Sequence, residues 1–269
     1  MMIRYVNSNN RYVDFYASNL RATEGNFHIR KWKVENDEVL KDRVSYTITL
    51  TLRGSLEERQ KKLDEICEIF ETDVANKKHG KMYYGDYYLE CYVISSDTHV
   101  SSTLVSRSDV ELEIYSCKDY WIKDNLFSFS GANIEPTPQT DNNKVYPYTY
   151  SYNYGKSVGN EKFTLEVLKD SDFKMIVYGQ VNNPQITINN HLYNVDVSLY
   201  SDEYLVIDSQ SKKIYKVLND GTQVNSFDKR NFESYIFEAI KKGVNTVNWS
   251  GGFSFDLIVY EERSEPRWQ

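Results

Sequence analysis

The chain has 269 residues, of which 40% are hydrophobic and 26% charged, with a formal net charge of -7; that length suits two domains of ordinary size. Charge is spread evenly, with 18 basic and 21 acidic residues up to Phe129 and 14 against 18 after it. No basic domain results, which argues against sequence-specific nucleic-acid binding.

No segment approaches the roughly 18 apolar residues that a membrane span requires. The opening Met-Met-Ile-Arg-Tyr-Val-Asn-Ser-Asn-Asn has no apolar run, so neither a signal peptide nor an anchor is expected. The three cysteines, Cys67, Cys91 and Cys117, are far apart and flanked by apolar residues, and read as reduced core positions. Asn248-Trp249-Ser250 fits a glycosylation acceptor, which without secretion is a chance match. The composition stands out for 23 tyrosines against four methionines. Tyrosine joins apolar area to a polar tip and suits half-buried strand faces and wet subunit interfaces.

Ile3–Val6 and Tyr12–Tyr16 predict two short strands around the turn-prone Asn7-Ser8-Asn9-Asn10. Phe27–Asp42 carries Arg30, Lys31, Lys33, Glu35, Asp37 and Glu38 around Trp32, Val34 and Val39, and reads as an exposed hairpin-like excursion. Val44, Tyr46, Ile48, Leu50 and Leu52 then alternate with Ser45, Thr47, Thr49 and Thr51, a strand with one buried face and one wet or neighbour-facing. Ser55 is placed as a helix N-cap with Glu58 completing a capping box, and Leu56, Leu63, Ile66, Cys67 and Phe70 form the stripe that covers a sheet.

Gly85-Asp86 between Tyr84 and Tyr87 predicts a tight hairpin, whose return strand buries Tyr87, Leu89, Cys91 and Val93. The next strand turns Val110, Leu112 and Ile114 to one side and Asp109, Glu111, Glu113 and Tyr115 to the other. Three carboxylates on one strand face repel each other. They form either a solvated face paired with nearby lysines or a surface with a task.

Pro136, Pro138 and Pro147 mark a compositional shift, and the domains are set at 1–130 and 145–269 with a linker at 131–144. The run 145–154 alternates Tyr with Thr, Ser and Asn and can start the second domain. Further strands are expected at Lys162–Leu168, Phe173–Tyr178, Gln185–Ile188, Leu192–Leu199, Tyr204–Asp208, Lys213–Val217, Glu233–Ala239, Val244–Trp249 and Phe253–Glu261. Asn182-Asn183-Pro184 is a structural turn, and Asn219-Asp220-Gly221 and Gly251-Gly252 supply hairpin turns. A two-sheet sandwich is the economical architecture.

The search for chemistry returns little. His28, His79, His99 and His191 are isolated from other ligands, and no phosphate-binding glycine loop or nucleophile elbow occurs. Chance carboxylate pairs among 39 acidic residues carry no weight. No enzyme, metal or cofactor is expected. A carbohydrate-binding module that attaches to a host surface is the competing class, with Trp249 or the tyrosines of 146–154 as stacking platforms.

Tyr178-Gly-Gln-Val-Asn-Asn-Pro184, Leu205-Val-Ile-Asp208-Ser, Lys213-Ile-Tyr-Lys, Asn225-Ser-Phe227, Gly243-Val-Asn245-Thr-Val and Tyr260-Glu-Glu-Arg263-Ser-Glu-Pro266-Arg-Trp268 together resemble the distal tail protein (Dit) family of long-tailed phages. The strand and capped helix at Tyr46–Phe70, the Lys81–Tyr88 hairpin and the Val110–Tyr120 strand extend the resemblance over nearly the whole chain. It implies a mainly β fold, with a split-barrel-like N-terminal domain carrying one helix and a galectin-like C-terminal β-sandwich. It also implies a structural role at the virion tail tip, after assembly in the host cytoplasm. There the N-terminal domains form a ring, commonly a homohexamer, that joins the tail tube protein to the tail-tip or tail-associated protein. The outer domain supports receptor-binding or peripheral baseplate proteins, with no membrane insertion. Within such a ring, Lys31, Lys33 and Glu35 of the excursion, or the Thr face of Ser45–Thr51, are candidate subunit contacts. Asp109, Glu111 and Glu113 are candidates for a lumen that repels DNA phosphate.

Overall fold

The computed structural model describes residues 3–25, 27–29, 32–41, 45–99, 106–131 and 159–267. The protein is mainly β, built of large antiparallel sheets with one α-helix among the described residues. It divides into two compact units, Met1–Lys123 with Glu262–Gln269, and Asp124–Glu261. The first unit is therefore discontinuous in sequence. Of the expected linker 131–144 only Gly131 lies among the described residues, and the run 145–154 lies outside them.

The first unit contains β1 (Ile3–Val6), β2 (Tyr12–Asp14), β3 (Leu20–Gly25), β4 (Trp32–Glu35), β5 (Glu38–Lys41), β6 (Ser45–Arg53), α1 (Leu56–Asn76), β7 (Gly80–Tyr84), β8 (Tyr87–His99) and β9 (Arg107–Ser116). It also contains the start of β10 (Trp121–Phe129). The strand order is β2-β1-β7-β8-β9-β6-β3, and β10 joins β8 through Ile122 and Tyr88. Phe15, just after β2, ties β1 to β3, since its N–H donates to Ile3 O (3.0 Å) and its carbonyl accepts from Ala22 N (2.8 Å).

The alternation read in β6 and β9 is the burial pattern observed. Tyr46, Ile48, Leu50, Leu52, Val110, Leu112 and Ile114 enter one core with Tyr5, Phe15, Leu89, Cys91 and Trp121. Trp121 Nε1 donates to the Tyr46 hydroxyl across this core (3.2 Å). On the other face Thr51 departs from the wet side and is buried, its hydroxyl donating to Asp109 Oδ1 (2.6 Å).

Helix α1 begins with the expected capping box. Ser55 Oγ accepts from Glu58 N, and Glu58 Oε2 accepts from Ser55 N (2.8 Å). Its buried face is Ile66, Ile69, Phe70 and Asp73, with Arg59 near the start. Leu56 instead is exposed, a correction to the expected stripe, because in the first turn it is Arg59 that faces the sheet, against Ser108 of β9. Two buried polar side chains on this face are compensated: Arg59 Nη1 donates to Ser108 Oγ (2.7 Å), and Asp73 accepts from the Tyr5 hydroxyl (2.5 Å) and from Ser8 N (2.7 Å). Gly80 passes so close that a Cβ there would collide with the Tyr5 hydroxyl and the Asp73 carboxylate. Among the described residues no helix is long and apolar enough to cross a membrane.

The second unit has the remainder of β10, then β11 (Asn160–Leu165), β12 (Phe173–Tyr178), β13 (Val181–Asn182), β14 (Gln185–Ile188), β15 (His191–Asn194), β16 (Ser198–Leu199), β17 (Tyr204–Asp208), β18 (Lys213–Val217), β19 (Gln223–Asn225), β20 (Gly243–Trp249) and all but the last two residues of β21 (Phe255–Arg263). One sheet runs β19-β18-β17-β12-β21-β10 and a second runs β11-β20-β14-β15. Phe129, Phe163, Phe173, Leu205, Leu257 and Trp249 share one core between them. Asn189 and Asn190 both hold positive φ in the turn of the β14–β15 hairpin, as a two-residue primed turn requires.

Two expectations fail here. Glu233–Ala239 is irregular chain, not a strand: Ile236 and Phe237 are buried, while side chains satisfy the backbone, Ser234 Oγ donating to Leu192 O and Tyr193 Oη to Glu238 O (2.8 Å). Gly251-Gly252 does not close a hairpin. β20 pairs with β11 and β14 and β21 with β12, so the glycines carry the chain from one sheet to the other. β10 and β19 were not anticipated, since β10 carries no clean alternation and β19 has only three residues.

Candidate functional site

The charged excursion is a two-stranded hairpin, β4 against β5, that pairs with no other described strand. Asn36 and Asp37 form its turn with φ of 51° and 65°, which side chains other than Asn, Asp and Gly rarely tolerate. Trp32 (56% exposed) and Val34 (70%) stand two residues apart on one face. Glu35 lies opposite Glu38, both exposed, with Asp37 between them, so the tip is acidic. Lys33 is in β4, while Lys31 lies outside the described residues. An isolated two-stranded hairpin is marginally stable in water, and exposing Trp32 and Val34 adds to that cost.

The acidic strand β9 separates its three carboxylates. Asp109 is half-buried, accepting from Arg107 Nε (3.0 and 3.1 Å) and from Thr51, so an arginine and a threonine hold it in the sheet. Glu111 and Glu113 are exposed. They face Thr49 and Thr47 of β6 on one side and Asp97 and Ser95 of β8 on the other. The Thr face of β6 and the carboxylates of β9 thus make one continuous surface.

The aromatics proposed as sugar platforms divide differently. Trp249 is 7% exposed, its Nε1 donates to Phe253 O (3.1 Å), and its ring packs on Phe129 and Phe255. It belongs to the core and offers no stacking face. The tyrosines of 146–154 lie outside the described residues. Among the described residues no three His, Cys, Asp or Glu side chains converge as metal ligands. The histidines with described side chains hold local partners, His28 meeting the Tyr84 hydroxyl (3.2 Å) and His191 the Tyr235 carbonyl (2.9 Å). Cys91 is buried, which pushes its thiol well above its usual range, and Cys67 and Cys117 are half-buried; none of the three is in a disulfide.

No protein-family model and no curated protein matches the chain. Solved structures do. A chain of the phage P2 baseplate in its activated conformation with calcium aligns with a TM-score of 0.59 at 11% identity, over 98% of this chain and 99% of that one. The corresponding chain of the phage p2 baseplate with strontium aligns with a TM-score of 0.59 at 12% identity. The SPP1 Dit protein, described as a paradigm of the hub adsorption apparatus in phages that infect Gram-positive bacteria, aligns with a TM-score of 0.57 at 6% identity, over 97% and 98% of the two chains. Over 97–98% of its length the chain thus shares the fold of the SPP1 Dit protein and of these phage baseplate chains.

Proposed function

We propose that the chain is a structural component of a phage tail, a distal tail protein whose copies form a ring between the tail tube and the tail-tip or baseplate proteins. The observation that carries this reading is the correspondence of fold with a Dit hub and with a baseplate chain over 97% and 98% of this chain. The role is assembly, not catalysis. In this reading the first unit is the split-barrel-like ring former, and the second is a galectin-like sandwich that supports receptor-binding or peripheral baseplate proteins at the virion tail tip. Host cytoplasm is where the ring assembles.

The exposed hairpin supports the ring. A neighbouring copy that covers Trp32 and Val34 and neutralises Glu35 and Glu38 removes both costs of the free hairpin. Copies related head to tail close into a ring when the rotation closes. Glu111 and Glu113 are then the lumen-facing carboxylates that keep DNA sliding, with Asp109 a structural member of the same strand. The burial of Trp249 weighs against the sugar-binding alternative.

Negative-stain imaging with light scattering of the purified protein tests the proposal. Rings, with six copies the expected mass, support it; compact monomers at every concentration overturn it.

A further inference from the structure

The second unit carries an interaction surface at the free edge of its larger sheet. β19 ends the strand order, and no described strand pairs on its outer side. Leu218 N donates to Thr222 O and Ser226 N to Ile214 O, with Lys216 opposite Val224 midway between them. The alternation of an antiparallel ladder then directs the backbone groups of Val224 toward β18 and those of Gln223 and Asn225 outward. All three β19 side chains are exposed.

Beside this edge lies a cleft of about 640 Å³ lined by Lys212, Lys213, Tyr215, Gln223, Asn225 and Phe227, among others. From two of its lining residues, Phe227 and Lys212, a ladder of aromatic rings and cations leads away. Arg230 lies over both Phe227 (4.0 Å to the ring centre) and Phe232 (4.5 Å), and Lys212 lies over Phe237 (5.3 Å) and Tyr235 (5.7 Å). Phe232 is 75% exposed and Tyr235 58%. The adjoining carboxylates hold local bonds: Asp208 accepts from Gln210 N and Ser211 N, and Asp172 accepts from Ser209 Oγ and lies 3.9 Å from Lys212 Nζ, a long pair on the exposed rim. In a chain of net charge -7, this patch presents cations.

We infer that this edge and cleft bind an extended acidic segment of a different protein, which adds a strand to β19 and sets its carboxylates against Lys212, Lys213 and Arg230. Three features favour a peptide over a sugar. Free backbone donors and acceptors on a sheet edge match another strand. The rings of Phe227, Phe232, Tyr235 and Phe237 each carry a cation over one face, which a stacked sugar would have to share or displace. Exposed Phe and Tyr clamped by Arg is the composition of protein interfaces. The inference goes beyond the hub reading and stands without it, because it is read on binding and not on ring formation.

The test uses the full chain and a fluorescent peptide alternating Glu and Val over roughly eight residues, with a Lys–Val peptide, a Glu–Pro peptide and an oligogalacturonate as comparisons. Binding is followed by anisotropy, and the contact by hydrogen exchange. The expected result is binding of the Glu–Val peptide alone, with exchange protection at Gln223 and Asn225. Lys212→Glu/Lys213→Glu and Gln223→Pro, which removes an outward N–H without touching the β18 ladder, each weaken binding by about tenfold or more. Unchanged melting temperatures show that both variants fold.

Equal binding of the basic or proline-containing peptide overturns the inference, as does full affinity in both variants. Oligogalacturonate binding without peptide binding overturns it in favour of an anionic glycan. Self-association lost in the same variants overturns it in favour of a second copy of the chain.

Discussion

The Tyr5 hydroxyl donates to the Asp73 carboxylate at 2.5 Å, joining the first strand to the end of the helix, with both residues fully buried. Asp73 also accepts from Ser8 N (2.7 Å), so one carboxylate holds the β1–β2 turn and the β1 strand against α1. Tyr5→Phe leaves a buried acceptor with one donor fewer. Urea denaturation is expected to show a loss of about 1–3 kcal/mol, with a larger loss for Asp73→Ala, which strands both donors. An unchanged midpoint in Tyr5→Phe would show that this bond adds nothing net.

Alkaline pH probes the same core. Burial first, and then the hydrogen bond to Asp73, hold Tyr5 ionisation above its ordinary value of 10.0. Burial, with the charge of Glu238, does the same for Tyr193. A group whose folded-state pKa is raised contributes stability that is complete below the unfolded value and is lost as pH climbs from there toward the folded one. Stability should therefore be insensitive to these two groups up to about pH 10 and then fall by about 1.4 kcal/mol per pH unit for each. Denaturation curves of Tyr5→Phe/Tyr193→Phe, measured across that range, should show the shallower fall.

Trp32→Ser/Val34→Ser removes the apolar face of the β4–β5 hairpin. Both residues are exposed in the single chain, so the unfolding free energy should stay within the range of ordinary surface changes, roughly ±0.5 kcal/mol. Ring mass by light scattering should drop. Charge reversal at Glu35 and Glu38 should act in the same direction and more strongly at low salt. Rings that persist in both variants would remove the hairpin from the subunit contact.

Trp249→Ala should act as a core truncation. Its ring packs on Phe129 (5.8 Å) and Phe255 (5.5 Å), and the substitution is expected to cost about 3–5 kcal/mol in the second unit. A variant of native stability that had lost binding to a glycan array would instead restore Trp249 as a sugar platform.

Much of the fold was legible where one physical signal dominates. Strict alternation identified β6 and β9 because one face of each lies on a core, and Ser55 with Glu58 identified the start of α1 because the first helical N–H groups need acceptors. Strands β12, β14, β17 and β18 lie where their Val, Ile and Tyr runs predicted, bounded by Asn, Asp, Gly and Pro turns. Glu233–Ala239 misled because apolar residues at strand spacing can equally anchor an irregular segment, here tied to β15 by Tyr193 Oη donating to Glu238 O and Ser234 Oγ donating to Leu192 O.

The candidate surfaces were only half legible. Lys33, Glu35, Glu111 and Glu113 could be picked out as charges with no local reason. Asp109 looked identical to its neighbours until Arg107 and Thr51 were seen to enclose it. The Arg230 ladder gave no signal, since Lys212 and Phe237 meet only after folding.

By itself, then, the sequence determined the local choices: β-rich segments, one capped helix, the turns, an acidic strand and a charged hairpin, each set by neighbours within a few residues. Only the tertiary structure decided that residues 262–269 return to the first unit, that Trp249 is buried, and that β19 is a free edge beside Lys212 and Lys213. Those facts depend on pairings between residues far apart in the chain, which local propensity and periodicity do not encode.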